Sequence, residues 1–169
     1  MENGTKCGNF GCLALDGKGG LYALKTDTKE GHSRYSNLYY FKDYKNYKTT
    51  KQCKMYRVDQ SLGHFKVDRG QAYNMIQDIC YAKKCLYIVT SKMGAPIEKN
   101  RILCVNSALT GKGLKPSTVI EIKKPKKIMA GNDISEKFEA EGIAIESDGT
   151  IIIGANCTKV NDDVFIAIK

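Results

Sequence analysis

The sequence predicts an all-β chain made of three copies of one hairpin-led unit. Three observations carry that expectation. An apolar strand, a tight polar turn and a second apolar strand occur together three times. Each hairpin is followed by further short apolar strands between polar loops, and no long stretch repeats its apolar residues at the 3.6-residue period of an amphipathic helix. At 169 residues, 42% of them hydrophobic, the chain is long enough to bury a core and reads as one domain over 1–169.

The first unit opens with Phe10-Gly11-Cys12-Leu13-Ala14-Leu15, turns through Asp16-Gly17-Lys18-Gly19-Gly20 and returns as Leu21-Tyr22-Ala23-Leu24. Asn37 to Phe41 and Lys54 to Val58 supply its third and fourth strands. The second unit runs from Met75 through a turn at Lys83-Lys84, one residue shorter on alignment, to Ser91; Arg101 to Val105 and Ser117 to Ile122 follow. The third reads Glu139-Ala140-Glu141-Gly142-Ile143-Ala144-Ile145-Glu146, turns at Ser147-Asp148-Gly149, continues as Ile151 to Asn156 and adds Asp163 to Ile168. Asp and Gly suit such turns because both tolerate positive φ at little cost. The expected inner strands are Gly11–Asp16, Gln77–Ala82 and Glu141–Glu146. Only Asp133 to Phe138 offers a short helical turn.

Four antiparallel strands with an apolar innermost pair are the plan of a β-propeller blade. The chain resembles the β-propeller superfamily, in particular six-bladed types whose blades carry a Gly-Ile-Ala-Ile, Asp-Gly, apolar-strand hairpin, as at Gly142 to Ile145, Asp148-Gly149 and Ile151 to Ile153. The resemblance runs from Phe10 onward and specifies fold better than activity. It implies three four-stranded antiparallel blades, about 10–70, 71–137 and 138–169, the last lacking its outer strand. A β-sandwich or open meander is the competing arrangement. Propellers close with four to eight blades, so three blades imply a homodimer closing a six-bladed ring with two-fold symmetry. Met1 reads as a natural start, which favours assembly over a piece of a longer chain. A partner strand would complete the last blade. The alternative is a solitary half-propeller with loops over its edges, which exposed flat strands make less favourable.

Charge is uneven. The net charge is +9, and residues 1–70 hold thirteen Lys and Arg against seven Asp and Glu. Residues 71–137 hold twelve against five, whereas 138–169 hold two against six. A positive field over two blades draws anionic partners. The clusters Lys42 to Lys48 and Lys123 to Lys127 read first as solvated faces or edge guards. Scarce arginine and no recognised motif disfavour nucleic acid, although interleaved Tyr and Lys would suit a single strand. Seven cysteines cannot all pair within the chain, and none forms the Cys-x-x-Cys of a zinc site. Cys80 and Cys104 sit in apolar strands as small hydrophobes. Reduced thiols, no signal segment and no apolar run long enough to span a bilayer give a cytoplasmic expectation with no membrane partner.

In a propeller the first strand of each blade starts at the top face and the second strand returns there. The alignment therefore brings together Phe10 and Gly11 with Thr26 and Asp27, Gln77 and Asp78 with Thr90 and Ser91, and Glu141 with Asn156. The following loops add Lys29, His32, Arg34, Lys92, Lys99 and Lys159. The candidate ligand-binding residues are Lys25, Asp27, Arg34, Tyr35, Gln77, Asp78, Ser91, Lys92, Glu141 and Asn156. Arg34 beside Tyr35 pairs a guanidinium that grips phosphate with a ring that stacks on a base; a plain exposed loop is an equal alternative. These parts point to non-catalytic binding of a small anionic ligand, a nucleotide being one candidate. The resemblance implies an alternative: a calcium-dependent hydrolase of the propeller phytase or lactonase type, with Glu141, Asn156 and Asp78 as metal ligands. Against it, the first unit has only Phe10 and Gly11 at the matching position, and His32 and His64 fall in loops. No catalytic residue is assigned. A protein-interaction scaffold is the third class.

Overall fold

The computed structural model describes residues 10–25, 35–46, 53–59, 64–67, 70–73, 75–91, 99–106, 113–114, 116–123, 138–157 and 162–169. Asp27, Arg34, Lys92 and the helical turn expected before Phe138 lie outside them. The described residues form strands and turns with no α-helix. No helix among them is long and apolar enough to cross a membrane.

Three antiparallel sheets follow one another along the chain. The first pairs β1 (Cys12–Leu15), β2 (Leu21–Lys25), β3 (Tyr35–Phe41) and β4 (Cys53–Asp59) in sequence order. A small hairpin, β5 (His64–Val67) with β6 (Gly70–Tyr73), comes next. Sequence reading missed it and left His64 in a loop; His64 instead opens β5 and pairs with Tyr73. The second sheet orders β7 (Met75–Ala82), β8 (Cys85–Ser91), β9 (Arg101–Asn106) and β11 (Thr118–Glu121). Between β9 and β11 the chain crosses back as β10 (Gly113–Leu114), which pairs in parallel with Arg57 and Val58 on the outer edge of the first sheet. Leu114 is thereby buried in the core between the first two sheets. The third sheet is β12 (Phe138–Ile145), β13 (Ile151–Cys157) and β14 (Asp162–Ile168).

The three inner strands lie side by side, β7 packing against both β1 and β12. Strand alternation gives each sheet two apolar faces, and neighbouring sheets bury them against each other. Tyr22, Leu24 and Leu38 of the first sheet pack on Ile79, Ile88 and Leu103 of the second. The opposite face of the second sheet, with Val89 and Ile102, packs on Phe138, Ile143 and Ile153 of the third. Each fully buried Leu or Ile contributes about 1.5–3 kcal/mol relative to exposure, so these two interfaces dominate the cohesion of the chain.

Turn chemistry is local. At Asp16 the side chain accepts from the backbone N–H of Lys18 and Gly20 and from the Tyr40 hydroxyl at 2.7, 2.8 and 2.9 Å. Those bonds hold the Asp16 carboxyl below its ordinary range even though burial works in the other direction. Asp148 stabilises its turn similarly by accepting from Thr150 N and Oγ1. The turn between β7 and β8 contains no Asn or Gly; Lys83 and Lys84 themselves take φ of 48° and 62°.

Candidate functional site

The site is built at the end where β7 and β12 begin. Both strands start earlier than the sequence predicts, at Met75 and Phe138 rather than Gln77 and Glu141. Each then carries an irregularity in register: one between Ile76 and Asp78, the other between Ala140 and Gly142. The extra residues are Gln77 and Glu141, which the repeat alignment matches to each other. Bulges bend a strand and re-aim its side chains, and they recur at functional sites. In the first sheet the matching residue is Gly11, whose N–H donates to the Leu24 carbonyl at 3.1 Å.

Hydrogen bonds knit these strand starts together. Gln77 donates from Nε2 to Oε1 of Glu139 at 2.7 Å. Asp78 Oδ2 accepts the backbone N–H of Ile143 at 3.1 Å, and its Oδ1 accepts the N–H of Ile79 at 2.8 Å. Cys12 completes the link to the first sheet by donating its thiol to the Gln77 carbonyl at 3.2 Å. Burial pushes this thiol up to about 12, with the Asp78 charge adding to the shift. Glu139 is buried, and burial together with the neighbouring Glu141 carboxylate lifts it above its ordinary range, while the bond from Gln77 opposes the rise. Glu141 is exposed, and Asn156 is half-buried in register with Glu139.

Gln77, Asp78, Glu141 and Asn156 therefore come to one end of the second and third sheets. Lys25 ends β2, exposed, on the first sheet. Tyr35 opens β3, in register with Asp59. Ser91 is in register with Met75 and is fully buried, its hydroxyl donating to Oδ1 of Asn100. Asn100 also accepts from Ala140 N and donates to the Phe138 carbonyl, so it anchors the start of β12. Glu139 and Asn100 were not singled out from sequence. A polar residue entering an apolar strand was the available signal for both.

Among the described residues no group of three or more His, Cys, Asp and Glu side chains is placed to hold a metal ion. Asp78, a candidate ligand for calcium, already has both oxygens engaged by backbone donors. The described polar residues at this end are held to one another by such bonds. What they offer is a set of acid and amide groups fixed by cross-sheet hydrogen bonds, suited to orienting a polar ligand. A scan against protein-family models found no match, and searches of curated proteins and of solved structures found none either.

Proposed function

We propose that the chain is a non-catalytic binding protein, half of a six-bladed β-propeller that two copies close, holding a small ligand where the inner strands begin. The observation that carries this is the pair of matched bulges at Gln77 and Glu141. Two successive sheets bend at the same place and bring polar side chains to one end of a rigid scaffold, which is where ligands bind in closed β architectures. The excess of Lys and Arg over residues 1–137 favours an anionic ligand. Arg34 and Lys92 are the basic groups proposed to bind it, together with Lys25, Gln77 and Asn156. The carboxylates of Glu139 and Glu141 then select against anionic groups at the innermost position and leave that place to a hydroxyl or amine donor. Propeller closure by a homodimer is part of the same proposal, because propellers close with four to eight blades.

Titration calorimetry with ATP, and separately with inorganic pyrophosphate, tests the reading. The expected result is saturable binding to one of these probes, weakened by Arg34→Ala or Lys92→Ala by about 1.5–3 kcal/mol, as for a charge-assisted hydrogen bond. Removing charge at Lys123 should change only the salt dependence. Absence of binding to both probes would overturn the anionic ligand. A calcium-dependent hydrolytic activity abolished by Glu141→Gln would replace the binding function with the catalytic alternative.

A further inference from the structure

The three sheets share one frame, and that frame exposes two faces that the sheets themselves show how to cover. Aligning the hairpins by register places Leu13 with Ile79 and Ile143, and Leu15 with Tyr81 and Ile145. In the second and third sheets this front face packs on the sheet before it: Ile79 is 3% exposed and Ile143 9%. Among the described residues no sheet precedes the first, and its Leu13 and Leu15 are 58% and 54% exposed. The register continues this face across the sheet as two rows, Leu13, Ala23, Tyr39 and Met55, then Leu15, Leu21, Phe41 and Cys53. Phe10 and Tyr44 pack on the middle of this face, where Ala23, Tyr39 and Phe41 are buried, so its exposed part is Leu13, Leu15 and Met55.

The rear face behaves in the opposite way. Cys12, Ala14, Tyr22 and Leu24 of the first sheet are buried against the second sheet. The matching rows of the third sheet are Gly142, Gly154 and Phe165, then Ala144, Ile152 and Ala167. Phe165 is 79% exposed, its ring lying over Gly154. Those rows are small apart from Phe165 and Ile152, whereas the front face of the first sheet is built from large side chains. A large-against-small pairing is what lets facing layers interdigitate. Charge matches too, since residues 1–70 are strongly basic and 138–169 acidic. At the end where the inner strands begin, the front-face row of the first sheet is Lys25, Asn37 and Arg57, and the rear-face row of the third is Glu139, Asn156 and Asp163.

We infer that the front face of the first sheet, around Leu13 and Leu15, docks on the rear face of the third sheet of a second copy, around Gly154 and Phe165. The inference rests on the two-copy ring proposed above and says which surfaces close it. It repeats a third time the contact that the chain already makes twice within itself. In a dimer each copy supplies one front and one rear face, so two equivalent contacts form around the two-fold axis.

Leu13→Glu and Phe165→Glu test it, and each should fold, because both side chains are exposed within one chain; circular dichroism checks this. Light scattering at micromolar concentration should give twice the chain mass for the natural sequence. Either variant should weaken association about a hundredfold or more, since each buries an unpaired charge at both contacts of the ring. Mixing the two variants should restore part of the dimer. One contact of the mixed pair then carries both substitutions and the other carries neither. A natural-sequence dimer that neither variant disturbs, or variants that fail to complement, would overturn the docking while leaving the two-copy ring standing. A natural-sequence monomer would overturn the ring and with it the docking. Open-ended head-to-tail growth, sensitive to both variants, would uphold the docking and overturn the closed ring.

Discussion

Gln77 donates its amide N–H to the Glu139 carboxylate across 2.7 Å and so ties the inner strand of the second sheet to that of the third. The acceptor is a buried acid beside a second acid, Glu141, and it is held above the ordinary carboxylate range by burial first and by Glu141 second. A raised carboxyl pKa means that the folded state binds the proton more tightly than the unfolded chain. The Glu139 contribution to stability is therefore greatest when it is protonated. It declines as pH rises from the ordinary carboxylate value, about 4.3, through the raised one, and is constant above that.

The first prediction follows from this sign. Melting temperature measured against pH should differ between the natural protein and Glu139→Gln, with the variant gaining relative stability as pH rises through the acid range. Glu141→Gln should shrink the same slope without removing it, because it deletes only the secondary cause. A difference curve that is flat, or that falls with pH, would contradict the assignment. Comparing variants is essential, because Asp16 and Asp148 are depressed and their contributions run the other way, being lost as pH falls.

Thiol chemistry should separate the cysteines by environment. Burial pushes Cys104 up to about 11 and Cys12 to about 12. The thiolate is the reactive species, so neither should be alkylated at neutral pH before unfolding. Cys53 and Cys85 are half-buried and should react first. Cys12, Cys80, Cys85 and Cys104 form no disulfide, and melting temperature should be insensitive to reductant. Mass spectrometry after a timed alkylation reads the order directly. Fast labelling of Cys12 in the native state would show that the contact between the first two sheets opens readily.

Much of this architecture was legible because it repeats. The hairpin around Asp148-Gly149 announces two strands and a turn by chemistry alone, and aligning it to the other two located all three inner strands to within three residues. The residues that escaped reading are those whose role depends on a neighbour distant in sequence. Glu139 is distinguished from Glu141 only by meeting Gln77, 62 positions away. Gly113 and Leu114 look like loop residues until they pair with Arg57 and Val58. Ser91 reads as a strand-end hydroxyl facing a ligand, and only the packing of Asn100 against β12 reveals it as a buried donor. Local pattern identifies strands; which sheet a polar group faces is set by tertiary register.

The turn between β7 and β8 gives a stability prediction of favourable sign. Lys84 sits at φ 62°, in the left-handed region where a β-carbon costs about 1 kcal/mol. Lys84→Gly should stabilise the protein by roughly that amount, since glycine adopts this conformation without the clash while losing somewhat more chain entropy on folding. Lys83 is left in place because its ammonium donates to the Asp148 carbonyl at 3.4 Å, touching the turn of the third sheet. A denaturant midpoint that falls in Lys84→Gly would mean that the unfolded-state term outweighs the relief of strain.

Asp78 connects the stability of the fold to the site and allows the most discriminating test. Its Oδ2 accepts the N–H of Ile143 from the neighbouring strand and its Oδ1 the N–H of Ile79. In Asp78→Asn one oxygen becomes an amide donor, so one of the two backbone N–H groups loses its acceptor. Each is part-buried, and the expected cost is about 1–3 kcal/mol. The same substitution removes the negative charge that adds to the shift on Cys12. Cys12 should then titrate at a lower pH in the variant, while remaining well above an exposed thiol because burial is the larger cause. A packing defect would move that titration only by letting water reach Cys12, which faster native-state alkylation of that thiol would report. Loss of stability together with a downward shift of Cys12, followed by thiolate absorbance, identifies Asp78 as the acceptor that clamps the second sheet to the third. Unchanged stability in Asp78→Asn would show that the two N–H groups find other acceptors and that the bulge at Gln77 does not depend on this residue.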